Sequence, residues 1–311
     1  MGTVAVVTTG GTIASVRDAD GTSAPALAAA ELLAGVAVPA GTEVRVVDLL
    51  AADSSVLTLA DMQAVSDAVG AELARPDTVG VVVVHGTDAM EETALLLDLQ
   101  HRDPRPVVVT GAQRTADDPD ADGPANLRTA LALAAGTHGR PDAPGVLVTM
   151  GGRVLPAAGT TKRSTVAVDG FAHEPGGAPL PHLTAPVSGV RVDLVAVHPG
   201  GDATHLDASL AAGAHGVVLA GLGSGNATPA IVAGVARCTA RGVPVAVSTR
   251  VPTGPLSPGY GGGGGGHDLV AAGAVHAHVL RPGQARVLLA ALIAAGAPDA
   301  QVRAAFGPPG S

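Results

Sequence analysis

Val79-Gly80-Val81-Val82-Val83-Val84 runs directly into His85-Gly86-Thr87-Asp88, and 89–99 continues as a stretch rich in Glu, Ala and Leu. A valine run without polar alternation reads as a strand covered on both faces, and the stretch after the turn reads as a helix. Strand, sharp turn and helix in that order are the repeating unit of a parallel sheet with right-handed crossovers. The same unit recurs outward from here. On the amino-terminal side, 3–8 reads as a strand stopped by Gly10-Gly11, 26–33 as a helix and 43–48 as a strand, and Thr58 with Asp61 starts a capped helix reaching about Leu73. On the other side come a strand at 106–110, an acidic loop at 115–123, a helix from Pro124 to about Ala135 and a strand at 146–150. Residues 17–25 are polar and turn-rich and read as a mobile loop.

From 151 to 185 the alternation fades into Gly- and Pro-rich sequence. A second block then shows strands near 191–197, 216–220 and 243–248 and helices near 206–213, 228–241 and 282–296. The expected fold is α/β: a larger N-terminal domain with a mostly parallel sheet at 1–185, a linker at 186–204, and a smaller C-terminal α/β domain at 205–311. Six consecutive glycines, Gly261 to Gly266, have almost no conformational preference and read as a mobile loop.

Composition narrows the function. The chain has 311 residues, enough for two cores, and with two Phe, one Tyr and no Trp those cores must rest on Val, Leu, Ile and Ala. A formal net charge of -9 without a basic patch speaks against nucleic acid or an anionic membrane as partner. Cys238 is alone, so no intrachain disulfide exists. No run of about 18 apolar residues is free of Gly, Pro and charge. Met1-Gly2-Thr3 leads straight into a strand without a basic leader, so a cytoplasmic protein is expected. Of the 18 basic residues, Lys162 alone is lysine. Arginine serves every surface role here, yet guanidinium cannot shed a proton near neutral pH and a primary amine can.

Open parallel sheets bind ligands beyond the carboxyl ends of their strands. Three such ends carry hydroxyls or carboxylates in sharp turns: Thr8-Thr9-Gly10-Gly11-Thr12, Asp53-Ser54-Ser55 and His85-Gly86-Thr87-Asp88. Each alone has a plainer reading. Thr-Gly-Gly-Thr makes a tight turn, Thr87-Asp88 can cap a helix, and Ser54-Ser55 can serve a turn. A phosphate-cradling loop lacks both the GxGxxG spacing and a Walker lysine. Eleven histidines show no HExxH pair, so no metal site is expected, and Gly223-Ser224-Gly225-Asn226 has the wrong spacing for a serine-hydrolase elbow. Combined with Lys162, the turns offer a threonine nucleophile, a lysine to move its proton, an Asp and a second Thr to hold that lysine, and backbone N–H groups for an oxyanion.

With these pieces assembled, the sequence resembles the bacterial-type L-asparaginase/glutaminase family. Thr9-Gly10-Gly11-Thr12-Ile13-Ala14 is similar to the first family motif, and the ten residues from His85 to Ala94 resemble the second almost throughout. Val109-Thr110-Gly111-Ala112-Gln113-Arg114, Asp122-Gly123-Pro124-Ala125-Asn126-Leu127, Gly223-Ser224-Gly225-Asn226, Ser248-Thr249-Arg250-Val251-Pro252-Thr253-Gly254 and Ala285-Arg286-Val287-Leu288-Leu289 follow in family order. The resemblance implies a threonine-nucleophile amidohydrolase with an asparagine-like substrate. It carries Thr12 over as nucleophile and Thr87, Asp88 and Lys162 as the proton-handling group. Gly11, Asp53, Ser54, Ser55, Gly86 and Ala112 fall on the substrate. It further implies no cofactor or metal, and a homotetramer of two intimate dimers in which a neighbouring subunit completes each site, here with Asn226 and Tyr260 as candidates. Two departures stand out. The family's lid tyrosine after the first motif has no counterpart in 15–30, and 255–266 lacks the acidic residue that well-known members send across the dimer but holds Tyr260, the one tyrosine. A glutaminase, a dual asparaginase-glutaminase and a catalytically inactive amino-acid-binding homologue are the rival readings. Direct attack by water activated through Thr87 and Lys162 is the rival mechanism.

Overall fold

β-Branched side chains at 81–84 crowd a helix but fill both faces of a pleated strand, and the computed structural model places them in one. It describes residues 2–18, 20–137, 145–308 and 310. The chain divides into two compact units, Met1–His173 and Glu174–Ser311.

The first unit contains strands β1 (Gly2–Gly10), β2 (Ser15–Arg17), β3 (Ser23–Pro25), β4 (Thr42–Ala52), β5 (Thr78–Val84), β6 (Val107–Thr110), β7 (Leu147–Met150), β8 (Arg153–Pro156), β9 (Thr160–Lys162) and β10 (Phe171–His173). Its helices are α1 (Ala29–Leu33), α2 (Leu59–Leu73), α3 (Met90–Gln100) and α4 (Gly123–Ala134). One sheet runs in the order β4-β1-β5-β6-β7-β8. All neighbours are parallel except β8, which returns antiparallel to β7. Chain order therefore reverses at β1: the next sheet strand lies on one side of it and β5 on the other. Such a switch point opens a crevice beyond the strands' carboxyl ends.

The valine run explains the layering. Val81, Val83, Val107 and Val109 pack on one face against Val65 and Val69 of α2 and Met90, Ala94 and Leu97 of α3. Val82, Val84 and Val108 pack on the other against Leu127, Ala130, Leu131 and Ala134 of α4. With both faces covered, no polar alternation survives in the sequence. Thr58 caps α2 by accepting from the N–H of Asp61, whose carboxylate accepts from the N–H of Thr58 in return.

The structure differs from the sequence reading at three places in this unit. The stretch 17–25 is not a free loop: β2 pairs antiparallel with β3, Val16 opposite Ala24. The Asp20 carboxylate accepts from both the N–H and the hydroxyl of Thr22, and Gly21 at φ 84° closes the turn; Ala19 lies outside the described residues. The helix read over 26–33 shrinks to α1, because the N–H groups of Ala26 and Leu27 donate to the Ala14 carbonyl instead. The Gly- and Pro-rich 151–185 holds β8, β9 and β10, of which β9 and β10 form their own two-stranded antiparallel ribbon.

The second unit contains β11 (Val192–Ala196), β12 (Gly216–Gly221), β13 (Val245–Thr249) and β14 (Val275–His276), with α5 (Thr204–Ala211), α6 (Pro229–Ala240), α7 (Gly266–Ala271), α8 (Pro282–Ala294) and α9 (Asp299–Phe306). Its four strands are parallel in sequence order. Val217, Leu219, Val245 and Val247 face Leu206, Ile231, Val235 and Cys238. The glycine run is not shapeless. The Asp268 carboxylate accepts from the N–H groups of Gly263 and Gly265, Gly264 accepts from Ala227, and Gly266 begins α7. A Cβ on Gly265 would meet the Tyr260 carbonyl oxygen at 1.9 Å, so glycine is required there by close approach, not by freedom. No helix among the described residues is long and apolar enough to cross a membrane.

Candidate active site

Glycine decides how closely the strand-end turns approach. Gly11 has φ 82° and ψ -176°, a conformation essentially closed to other residues. A Cβ on Gly11 would lie 2.3 Å from the Gly86 Cα, and a Cβ on Gly86 would lie 2.6 Å from Ser54 Oγ. The turns after β1, β4 and β5 thus stack with nothing between them. Replacing Gly11 by alanine is expected to destabilise the first unit by about 3 kcal/mol or more, from combined backbone strain and overlap. Gly35→Ala is the control: φ is 78° there but nothing lies within 4 Å, so about 1 kcal/mol is expected from strain alone. Denaturant midpoints of both variants check this, and equal losses would refute the packing argument.

On this platform Thr12 opens a one-turn 3₁₀ helix, Thr12–Ala14, at the carboxyl end of β1 and is partly exposed. Ser15 Oγ secures that turn by donating to the Gly11 carbonyl at 2.9 Å. Buried Ser54 accepts from the N–H groups of Asp88 and Ala89, at 3.1 and 3.4 Å, at the start of α3. Asp53 accepts from the N–H of Ser55 at 3.0 Å, and Ser55 is exposed. Lys162, at the end of β9, donates from Nζ to Thr87 Oγ1 and to Asp88 Oδ1, both at 2.7 Å. Its side chain is 21% exposed and that of Asp88 56%, so the pair is open to solvent and does not lie in the core.

Two buried groups hold these turns. His85 bridges the Gly86 carbonyl and Thr93 Oγ1, at 2.7 and 2.9 Å. Complete burial lowers its pKa to about 4 against the pull of the Gly86 carbonyl, so the ring is neutral and acts as a brace. Asn126 donates to the Gly111 carbonyl and accepts from the Gly151 N–H, both at 3.0 Å, fixing the turn that carries buried Ala112. Asp122 accepts from the N–H groups of Gln113 and Arg114 beside it. Among the described residues no group of three or more His, Cys, Asp and Glu is placed to hold a metal ion.

A family model described as "Asparaginase, N-terminal" matches residues 3–188, and one described as "Glutaminase/Asparaginase C-terminal domain" matches residues 191–306. The chain belongs to the asparaginase family. A probable L-asparaginase of Deinococcus radiodurans is 38% identical over 247 residues, covering 73% of this chain and 74% of that protein. A probable periplasmic L-asparaginase of Haemophilus influenzae is 35% identical over 237 residues, covering 68% and 65%. The crystal structure of a probable cytoplasmic L-asparaginase from Campylobacter jejuni superposes with a TM-score of 0.85 at 26% identity, covering 98% of this chain and 99% of that one.

In this member of the asparaginase family, the turns bearing Gly11, Thr12, Ser54, Gly86, Thr87 and Asp88 meet at one sheet edge, with the Lys162 ammonium joined to them. Asn226 and Tyr260 belong to the second unit. Asn226 Oδ1 accepts from the Gly266 N–H at 3.2 Å, and the Tyr260 carbonyl accepts from the His267 N–H, the tyrosine as a whole being 65% exposed. Sequence reasoning missed Glu91, whose Oε2 accepts from the main-chain N–H of Lys162 at 2.5 Å. No side-chain pattern in the sequence signals this contact, because its donor is a main-chain amide.

Proposed function

We propose that this asparaginase-family chain hydrolyses the side-chain amide of L-asparagine to L-aspartate and ammonia, with Thr12 as nucleophile. The observation that carries the reading is the Lys162 ammonium bridging Thr87 Oγ1 and Asp88 Oδ1 at 2.7 Å each, beside the β1/β5 switch point. Thr12 Oγ attacks the amide carbon, and its proton passes by way of Thr87 and Lys162 towards the leaving nitrogen. The oxyanion rests on backbone N–H groups near Ala112. The C–N bond breaks and ammonia departs. Water then attacks the acyl-threonine ester, releasing aspartate as Thr12 Oγ regains a proton. Asp53, Ser54 and Ser55 take the substrate's α-carboxylate and α-amino groups, and Asp88 shares the ammonium.

Ammonia and aspartate formed in equal amounts from asparagine by purified protein are the expected result; background rates would sink the proposal. One methylene separates glutamine from asparagine and is worth about 1–3 kcal/mol in a pocket. Glutamine is expected to react more slowly by roughly tenfold or more on that basis, and equal rates would make the chain a dual amidohydrolase.

The assembly proposed is a homotetramer of two intimate dimers, resident in the cytoplasm, with Asn226 and Tyr260 closing the neighbour's site. The exposure of Tyr260 supports a role outside its own core. Tyr260→Phe is expected to lower kcat/KM about tenfold without changing the melting temperature. An unchanged kcat/KM discards that role.

A further inference from the structure

Besides its place opposite Phe171 in the β9–β10 ribbon, Lys162 is held at two points, its ammonium and its main-chain N–H, and only the first belongs to the chemistry proposed above. β9 is three residues long and, among the described residues, pairs only with β10, outside the main sheet. Its ladder therefore does not fix where Lys162 stands relative to the turns after β1 and β5. A lysine stem is long and flexible, and its ammonium is only as well placed as the main chain beneath it. Asp88 precedes α3 and Glu91 lies in its first turn, three residues on, so both carboxylates come from one helix start. Asp88 takes the ammonium at 2.7 Å and Glu91 takes the main-chain N–H at 2.5 Å.

We propose that Glu91 is a positioning residue for Lys162: the start of α3 clamps the lysine at both ends, and the Glu91 carboxylate fixes the main chain from which the amine reaches Thr87 and Asp88. The inference rests on Lys162 as proton carrier. Burial raises the Glu91 pKa to about 7. The Lys162 N–H opposes that shift, the Glu92 charge on the same helix adds to it, and the Lys162 charge on β9 opposes it. The clamp therefore changes charge near neutral pH, and the amine it holds senses the change.

Because Lys162 is the one lysine, isotope-labelled lysine gives a single Cε/Nζ NMR signal that needs no turnover to be read. In the unmodified protein that signal is expected to move with a midpoint near pH 7. Glu91→Gln keeps an acceptor but removes the charge. It should abolish the midpoint and lower kcat about tenfold, with KM changed less than about twofold. Glu91→Ala should displace the signal at every pH and lower kcat further. The same midpoint and kcat in Glu91→Gln would overturn the proposal, as would an unmoved signal in Glu91→Ala. If the unmodified protein released no ammonia, the functional reading would fall, while the NMR midpoint would still decide whether Glu91 holds Lys162.

Discussion

Thr12→Ala is expected to lower kcat for asparagine by about 10⁴-fold or more while the protein stays folded. The partly exposed Thr12 side chain sits at the start of a 3₁₀ turn whose shape rests on Gly11 and on the Ser15–Gly11 hydrogen bond. Deleting its hydroxyl therefore removes the attacking atom and opens no core cavity, so a stability change within about 1 kcal/mol is expected. What remains is binding and the oxyanion donors, which by themselves sustain only weak catalysis. The companion measurement is rapid quench of the unmodified protein with asparagine, followed by mass spectrometry of the peptide containing Thr12. An ester there, absent in the variant, establishes the covalent route. Turnover in Thr12→Ala above about 1% would instead favour water as the attacking group.

Much of the fold was legible because both faces of the main sheet are covered. Val81 to Val84 could be read as a buried strand without knowing its neighbours, and the turn after it named where chemistry could sit. Lys162 was legible for a different reason, its singularity among arginines. What escaped was set by partners distant in sequence. Ala26 and Leu27 leave a helical pattern for the Ala14 carbonyl, and the glycines from 263 onwards take a shape that Asp268 and Ala227 impose. Glu91 is the sharpest case, since its partner is a main-chain amide 71 residues away and no side-chain pattern records such a contact. Helix-start composition alone makes Glu91 look like a charge placed to suit the dipole.

Lys162→Arg separates charge from proton transfer, and a fall in kcat of about 10³-fold is expected, within the range for general acid–base groups. The guanidinium can keep a positive charge between Thr87 and Asp88, so electrostatic support of the site survives. It stays protonated at every accessible pH, so it cannot pass a proton towards the departing nitrogen. Stability separates this from a folding defect. Asp88 is 56% exposed, and an ion pair so open to water contributes at most about 1 kcal/mol. Melting temperature should therefore shift by no more than about 3 °C in Lys162→Arg and in Lys162→Met alike. Lys162→Met loses charge and proton together and should be slower still. If the arginine variant kept the original rate, Lys162 would serve as a fixed charge, and the proton released by Thr12 would have to leave by another path.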